Sequence, residues 1–244
     1  MFELRRERNG RPLLVGHRGA MEVAPENTLP AFEAGLAGGA DLLELDVQLT
    51  ADEQVILFHD TDLQYKTGIR GQIGHFAADY LRSLDVGSYF DPQFAGLQMP
   101  LLDEMLAWAK DRVALMIELK HGPIFDPRLD QHVVRLIEQH GMEDQVVIIS
   151  FDQFALRRVK QMNPNLTASL IYVGRFCDPL ALIGDVPVNA LSPATDFLTL
   201  DEVKLIQKAG YACTPGGFYW DYPTLLEWGV DTISTNNPGA FSFQ

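Results

Sequence analysis

Short apolar runs alternate with amphipathic segments along the chain, and this alternation predicts strands and helices in turn. The apolar runs are rich in branched side chains and bounded by polar or glycine positions, as is typical of buried strands. They predict nine strands, at 13–15, 41–47, 55–58, 114–119, 146–151, 166–173, 189–191, 211–213 and 232–234. Helical spacing between them predicts helices at 29–36, 102–109, 129–139, 154–162 and 200–209, with a last one around 225–226.

This order of elements predicts a parallel sheet with helices on both faces. A closed barrel needs eight strands, one fewer than predicted. Strands 41–47 and 55–58 are joined by a turn too short for a helical crossover, so they form either a hairpin or one long bent strand. Merging them would give eight. The competing topology is a doubly wound sheet, but its glycine-rich nucleotide turn matches residues 16–19 poorly, because that turn carries bulky charged side chains.

Residues 61–99 do not continue the alternation. The segment is rich in glycine and aromatic residues. An unstructured loop of that length is unusual in a compact domain, so we expect an insertion with its own small aromatic core. It begins directly after His59 and Asp60, and we therefore expect it to overhang the site formed there.

Ionisable side chains cluster where the predicted strands end. Parallel strands of an α/β fold bring these ends to one edge, where such proteins place their chemistry. The residues concerned are His17, Arg18, Glu44, Asp46, His59, Asp60, Glu118 and Lys120. They are the groups that a cation-assisted attack on a phosphate ester requires.

The carboxylates among them suit a metal ion. Glu44 and Asp46 are two positions apart on one strand, so their side chains share a face and repel unless a proton or cation intervenes. With Glu118 they form an all-oxygen set that suits Mg²⁺, Ca²⁺ or Mn²⁺. Such a cation, with Arg18 and Lys120, would balance the carboxylates and one phosphodiester, so we expect chelation to abolish activity. The simpler alternative is ion pairing alone, as between Glu118 and Lys120.

Two histidines are candidates for proton transfer. His17 and His59 follow different strands. An ordinary histidine pKa of about 6.5 allows proton exchange near neutrality, and displacement at a phosphodiester needs one group to accept a proton and another to donate one. Arg18 has the planar fork that holds two phosphate oxygens. Each residue by itself could be structural, and Asn27 and Thr28 are predicted to cap the next helix.

Composition limits the partners of the chain. It has 244 residues and a net charge of −14, so its surface repels nucleic-acid backbone and anionic membranes, and no nucleic-acid partner is expected. No apolar run has the length of a membrane span, and the charged first eight residues do not resemble a signal peptide. We therefore expect a cytoplasmic protein without stable membrane insertion, with Cys177 and Cys213 as reduced packing residues.

The ionisable clusters lie in motifs of a known family. The sequence resembles glycerophosphodiester phosphodiesterases, within the phospholipase-C-like barrel superfamily, over essentially its whole length. The motifs that carry the resemblance are Gly16-His17-Arg18-Gly19-Ala20, Ala24-Pro25-Glu26-Asn27-Thr28-Leu29-Pro30-Ala31-Phe32, Gly39-Ala40-Asp41, Glu44-Leu45-Asp46-Val47-Gln48-Leu49-Thr50, His59-Asp60, Met99-Pro100-Leu101-Leu102-Asp103-Glu104, Ile117-Glu118-Leu119-Lys120 and Ser150-Phe151. Those in the first sixty residues are the most specific.

The resemblance implies a TIM-type (β/α)8 barrel that forms one domain over 1–244, with the 61–99 insertion after the third strand motif overhanging the active site. It implies metal-dependent hydrolysis of a glycerophosphodiester, a small molecule, to sn-glycerol 3-phosphate and an alcohol. By position, it makes His17 and His59 the catalytic acid/base pair, Arg18 and Lys120 substrate-binding residues, and Glu44, Asp46 and Glu118 the ligands of one divalent cation. The residues themselves do not decide between direct attack by water and attack by the glycerol 2-hydroxyl.

The chain departs from the family pattern near its C-terminal end. The usual Trp-Thr-Val-Asn is Cys-Thr-Pro-Gly at 213–216, and the usual Thr-Asp-x-Pro is Thr-Asn-Asn-Pro at 235–238. In the family, the missing tryptophan forms the wall of the pocket beside the glycerol. Phe218 or Trp220 could replace it. One alternative is therefore a related phosphodiesterase that acts on a lysophospholipid or another alcohol phosphodiester. Another is a catalytically idle phosphate-ester-binding barrel. The preferred alcohol, the metal and the oligomeric state stay open.

Overall fold

The computed structural model describes residues 1–121, 126–217 and 221–243. The strands are β1 Leu13–Gly16, β2 Leu42–Leu49, β3 Val55–Leu57, β4 Ala114–Leu119, β5 Val146–Ser150, β6 Thr167–Tyr172, β7 Ala190–Pro193, β8 Ala212–Cys213 and β9 Thr232–Thr235. The α-helices are α1 Arg6–Asn9, α2 Leu29–Ala37, α3 Gln64–Thr67, α4 Ala78–Arg82, α5 Leu102–Ala109, α6 Arg128–His140, α7 Gln153–Met162, α8 Leu200–Lys208 and α9 Tyr222–Trp228. Every predicted strand is present, with its ends displaced by two residues at most.

Eight parallel strands form a nearly closed barrel with helices between them, in the order β8-β7-β6-β5-β4-β2-β1-β9. The TIM-type barrel is therefore confirmed, and the doubly wound sheet is wrong. Asp231, just before β9, bridges the gap between β8 and β9. Its N–H donates to the Cys213 carbonyl at 2.8 Å, and its Oδ2 accepts the N–H of Cys213 at 2.7 Å. A carboxylate thus joins two strands that form no ladder with each other within the described residues.

β2 and β3 form an antiparallel hairpin that pairs Val47 with Leu57 and Leu49 with Val55. Of the two alternatives left open by the sequence, the single bent strand is wrong. Among the strands of the described residues, β3 forms a ladder with β2 outside the barrel wall, so the count of eight needs no merging. The hairpin also returns the chain to the carboxyl end of β2, where the N–H of Phe58 donates to the Asp46 carbonyl at 3.0 Å.

The barrel interior changes from apolar to charged along its axis. One end is filled by an apolar layer that Leu4 and the partly buried Phe2 also join; its barrel members are Leu13, Val15, Leu42, Ala114, Met116, Val147, Ile149, Ala190 and Ala212. Because side chains alternate along a strand, Leu42 is followed on the same face of β2 by Glu44 and Asp46. The larger core lies between the barrel wall and the helices.

The insertion folds around a core of its own, which is shared with the hairpin. Its buried members are Ile56, Phe58, Leu63, Ile73, Leu81, Val86 and Met99. Most of the segment's aromatic rings lie outside this core, with Tyr65, Tyr80 and Phe90 exposed. The predicted aromatic core is therefore wrong, because aliphatic side chains fill the interior while the rings pair near the surface, as Tyr65 does with Tyr89 at 5.8 Å between centroids.

Two smaller expectations concern membranes and cysteines. Among the described residues, no helix has both the length and the apolar character needed to cross a bilayer. Neither cysteine forms a disulfide. Cys213 is buried in β8, as expected for a packing residue, but Cys177 is exposed in the loop after β6, so that expectation is wrong for Cys177.

Candidate active site

The interior faces of β2 and β4 bring three carboxylates together at the carboxyl edge of the barrel. The two strands are parallel neighbours, with Asp46 paired to Glu118. Glu44 lies two positions before Asp46, on the same face. All three residues are buried, and their carboxylate oxygens lie within 4.8 Å of one another. Negative charges this close and this buried repel strongly unless positive charge lies between them.

Two cations compensate part of this charge. Lys120 Nζ lies 2.6 Å from Glu118 Oε1 and 3.2 Å from Asp46 Oδ1, and Arg18 Nε lies 3.3 Å from Asp46 Oδ2. Burial acts to raise the pKa of Asp46, but Lys120 and Arg18 outweigh it and lower that pKa to about 2. Burial, and next the charge of Asp46, raise the pKa of both Glu44 and Glu118. Asp46 is therefore ionised at neutral pH, while the three carboxylates together outnumber the two cations beside them.

The carboxylate cluster fits a hard divalent cation. Asp46 Oδ1 is buried and accepts no hydrogen bond from the described residues, although it lies within ion-pair distance of Lys120. An all-oxygen donor set is the one that Mg²⁺, Ca²⁺ and Mn²⁺ prefer. The ion pair between Glu118 and Lys120, the alternative to metal binding that the sequence left open, is also present. Ion pairing alone, however, leaves the charge of Glu44 without a cationic side chain as partner among the described residues.

His17 is held by the loop that follows β9. Its backbone N–H donates to the Thr235 carbonyl at 2.9 Å, and its Nδ1 lies 2.8 Å from Asn236 Oδ1. With the amide oxygen as acceptor, Nδ1 carries the proton and Nε2 faces Glu44 Oε2 at 4.0 Å. Burial, reinforced by the charge of Arg18, lowers the pKa of His17 to about 4. The ring is therefore neutral at pH 7.

His59 is held by the residue that follows it. Its Nδ1 lies 2.9 Å from Asp60 Oδ1, and Asp60 Oδ2 lies 2.8 Å from Lys66 Nζ. The hydrogen bond with His59, opposed by burial and helped by Lys66, lowers the pKa of Asp60. An ionised carboxylate only accepts hydrogen bonds, so Nδ1 of His59 carries the proton and Nε2 is the nitrogen left for proton exchange.

Arg18 lies in the tight turn after β1. Its φ is 51°, and Gly19 follows at 88°, where an added Cβ would lie 2.5 Å from the backbone of α2, so glycine is required there. The backbone N–H of Arg18 donates to Glu44 Oε2 at 2.8 Å. The guanidinium Nη1 of Arg18 lies 3.0 Å from both carboxylate oxygens of Glu26. Its guanidinium therefore lies between Glu26 and Asp46, at the margin of the carboxylate cluster.

Asn27 contacts the site instead of capping α2. Its Nδ2 donates to Asp46 Oδ2 at 2.8 Å, and its Oδ1 accepts the N–H of Asp46 at 3.0 Å. Thr28 does precede the first residue of α2, but its hydroxyl donates to the Pro25 carbonyl. Side-chain capping is therefore a wrong prediction. The left-handed backbone of Asn27, with φ at 56°, directs its amide to β2.

Three further residues join the site without having been predicted as site residues: Glu26, Lys66 and Asn236. Glu26 stands inside a motif that carries the family resemblance, and Asn236 stands at a departure from it, so both positions offered a signal. Lys66 offered none, because it lies in the insertion, whose pattern marks no catalytic position.

A cleft of about 510 Å³ opens above these residues. One side is charged and is lined by His17, Arg18, Glu44, His59, Glu118 and Lys120. The other side is formed by residues that follow β5, β6 and β7. There Phe151, Val173 and Phe197 line the cleft and are all exposed, beside Asp196. One half of the cleft thus suits an anion held at a cation, and the other half is largely apolar.

The C-terminal departure from the family pattern borders the same cleft. Residues 214–217, which follow β8, line it. The suggested substitutes for the missing tryptophan, Phe218 and Trp220, lie outside the described residues.

The fold and the site together define a TIM-type barrel whose carboxyl edge suits a divalent cation and an anionic ester. The model of the glycerophosphoryl diester phosphodiesterase family matches residues 17–240. A glycerophosphodiester phosphodiesterase of Caldanaerobacter subterraneus is 31% identical over 233 residues, covering 93% of this chain and 94% of the relative. One of Bacillus subtilis is 31% identical over 252 residues, covering 95% and 85%. The chain belongs to the glycerophosphoryl diester phosphodiesterase family.

Solved structures show the same fold. A glycerophosphodiester phosphodiesterase of Agrobacterium tumefaciens superposes with a TM-score of 0.80 at 27% identity, covering 93% of this chain and 97% of that one. A phosphodiesterase of Oleispira antarctica, determined in complex with the product sn-glycerol 3-phosphate, superposes with a TM-score of 0.88 at 24% identity, covering 95% and 96%.

Proposed function

We propose that this chain hydrolyses glycerophosphodiesters to sn-glycerol 3-phosphate and an alcohol, using one divalent cation and two histidines. The observation that carries the proposal is the buried cluster of Glu44, Asp46 and Glu118, short of positive charge, in a cleft that His17 and His59 also line. Family membership supports the substrate class. The product bound by the Oleispira antarctica phosphodiesterase is the one that this reaction would form.

The three carboxylates would hold the cation, which is Mg²⁺, Ca²⁺ or Mn²⁺. When bound, it supplies the positive charge that the cluster lacks and polarises a phosphoryl oxygen. Arg18 and Lys120 lie at the margin of the cluster and line the cleft, so both are placed to bind the remaining phosphate oxygens. Without the cation, an anionic phosphodiester would meet uncompensated carboxylates.

The histidines would move the protons. A new P–O bond forms to the attacking oxygen while the P–O bond to the alcohol breaks, so one proton leaves the attacking oxygen and one reaches the departing alcohol. His17 and His59 each bind an oxygen through Nδ1, that of Asn236 or Asp60, and Nε2 of each ring would be the nitrogen that exchanges a proton. The attacking oxygen belongs either to water or to the glycerol 2-hydroxyl, which would give a cyclic phosphate that water then opens.

Residues 61–99 would cover this site within one catalytic domain over 1–244. The support comes from Lys66 in α3, whose Nζ lies 2.7 Å from Glu26 Oε1 and 2.8 Å from Asp60 Oδ2. The insertion therefore contacts both the carboxylate beside Arg18 and the carboxylate beside His59.

The test is turnover of glycerophosphocholine by protein stripped with a chelator and then supplied with Mg²⁺, Ca²⁺ or Mn²⁺. We expect no activity in the stripped protein and recovery with at least one cation. His17→Ala and His59→Ala should each lower kcat by about 10²- to 10⁴-fold with the circular dichroism spectrum unchanged, since general acid or base catalysis has that magnitude. Full activity in excess EDTA after verified metal removal would refute metal dependence.

A second substrate class has its own supporting observation. Phe151, Val173 and Phe197 expose apolar surface along the cleft, which would suit the acyl chain of a lysophospholipid. Parallel assays of glycerophosphocholine and lysophosphatidylcholine, below the micelle concentration of the lipid, separate the two. A higher kcat/KM for glycerophosphocholine supports the first candidate, and a higher value for the lysophospholipid supports the second.

A further inference from the structure

Lys66 is a buried cation supplied by the insertion. It lies in α3, and its side chain is 5% exposed. Removing an ammonium group from water is costly unless carboxylates or other acceptors replace the lost hydration. Its Nζ also lies 4.8 Å from the centroid of the Phe58 ring, a distance at which the ring face attracts a cation. A lysine buried in this way within a small insertion indicates that its charge serves the structure or the site.

The partners of Lys66 are two carboxylates that each hold a candidate catalytic group. Asp60, 2.8 Å from Nζ, accepts the hydrogen bond of His59 Nδ1. Glu26, 2.7 Å from Nζ, accepts both hydrogen bonds of Arg18 NH1. The ammonium group of Lys66 thus contacts both the carboxylate that binds His59 and the carboxylate that binds Arg18.

The charges in this group balance without a metal ion. Glu26, His59 and Asp60 bring possible ligand atoms within 4.8 Å of one another, as the buried cluster does. Here, however, Lys66 and Arg18 already neutralise the two carboxylates. The buried cluster of Glu44, Asp46 and Glu118 has three carboxylates for Lys120 and for Arg18, which it shares with Glu26, so it stays short of positive charge.

We propose that Lys66 is a positioning residue: by bridging Asp60 and Glu26 it orients His59 and Arg18, and it makes the docked insertion a required part of the active site. The proposal rests on the proposed function for its kinetic consequences. The part of the proposal that concerns geometry is that Lys66 holds the His59–Asp60 pair. This part does not depend on which phosphodiester is cleaved.

The first test compares Lys66→Met, which keeps the chain length without the charge, with Lys66→Arg, which keeps the charge. The matched control is Arg82→Met. Arg82 Nη1 lies 2.6 Å from Glu104 Oε2 and ties the insertion to α5, away from the site. We expect Lys66→Met to lower kcat by about 10- to 100-fold, since a misplaced catalytic group costs that much. Lys66→Arg should recover most of this loss, and Arg82→Met should stay within about twofold of wild type.

The second test asks whether Lys66 acts through Asp60. If it does, kcat of the double variant Lys66→Met/Asp60→Asn falls by less than the product of the two single losses, because both changes remove the contact with Asp60 and only Lys66→Met also removes the contact with Glu26. Multiplied losses would overturn the proposal. So would a Lys66→Met protein that is folded by circular dichroism and has the kcat of wild type.

The third test separates this proposal from the proposed function. In a ¹⁵N-histidine-labelled protein, wild type should show protonated, hydrogen-bonded Nδ1 signals from both His17 and His59, and the one that is missing in His59→Ala belongs to His59. That signal should shift or exchange faster in Lys66→Met and be unchanged in Arg82→Met. If wild type hydrolyses no phosphodiester but the signal behaves this way, the proposed function fails and the positioning role stands. If turnover is present and the signal does not respond to Lys66→Met, the positioning role fails.

Discussion

Asn27 shows how a single residue acquires its role from the turn in which it lies. Its sequence neighbourhood predicts a helix cap, and by position Thr28 does precede α2. The positive φ of Asn27 turns the amide away from the helix, and two hydrogen bonds then fix the backbone and side chain of Asp46. Residues that orient a metal ligand in this way contribute to metal affinity without touching the metal.

We therefore expect Asn27→Gly to weaken cation binding by about 10- to 100-fold, as loss of a ligand's hydrogen-bond partner does in other metal sites. Glycine is the informative replacement, because it accepts the positive φ and removes only the side chain. Calorimetric titration of stripped protein with Mn²⁺ gives the dissociation constant. Asn163→Gly, at a residue bonded to Glu138 far from the site, is the control. Equal affinity in Asn27→Gly and wild type would contradict the role of this amide.

At the scale of elements, the β2–β3 hairpin decides where the insertion begins. A parallel strand cannot follow β2 through so short a turn, so the chain reverses and delivers His59 and Asp60 to the edge that β2 and β4 already form. The insertion then folds back over its own aliphatic core. The turn after α4 leads to Tyr89, whose ring centroid lies 6.0 Å from Lys66 Nζ.

Asp85 stabilises that turn. It accepts the hydroxyl of Ser88 and the N–H groups of Gly87 and Ser88, and these bonds, with the hydroxyl foremost, lower the pKa of Asp85 from 3.8 to about 2. Because the folded pKa is the lower one, the stabilising contribution is complete above pH 4 and is lost as pH falls toward 2. We expect Asp85→Asn to lower the urea midpoint by a constant amount from pH 5 to 7 and by less at pH 3. If the difference in urea midpoint between wild type and Asp85→Asn grows as the pH falls, the stabilising role of the ionised Asp85 is contradicted.

At the scale of the whole molecule, charge is distributed unevenly between the surface and the site. The net charge of −14 disfavours anionic partners, while Arg18, Lys66 and Lys120 are gathered at one edge of the barrel. Inside the cleft, a small anionic ligand therefore meets local positive charge despite the acidic surface. We therefore expect divalent cations that bind the buried carboxylates to stabilise the folded state.

We expect Mg²⁺, Ca²⁺ or Mn²⁺ at about 100 times its dissociation constant to stabilise the stripped protein by about 2.7 kcal/mol. That corresponds to a rise in Tm of roughly 5–10 °C for a chain of this size. NaCl at equal ionic strength controls for screening of the surface charge. Glu44→Gln/Glu118→Gln should lose the shift specific to the divalent cation. A shift of the same size in NaCl, or in the double variant, would rule out binding at this cluster.

Local pattern was sufficient for the strands and the longer helices, but it missed the short helices α1, α3 and α4 and some of the contacts between elements. Apolar periodicity gave every strand to within two residues, because burial acts on each short segment separately. It did not distinguish a hairpin from a bent strand at residues 50–54, because both have the same pattern and differ only in the direction of pairing. It also assigned an aromatic core to 61–99, where packing of distant aliphatic residues decided otherwise.

The sequence by itself determined the strands and gathered the two histidines, the arginine and the three acids at strand ends, because these are local features, while the barrel and the roles expected of those residues came from the family resemblance. Only the tertiary structure decided what orients them. Asn236 reaches His17 across 219 positions, and Lys66 reaches Glu26 across 40. Such contacts depend on where whole elements lie after the barrel has closed, and that placement follows from packing over the entire chain instead of from any one stretch of it.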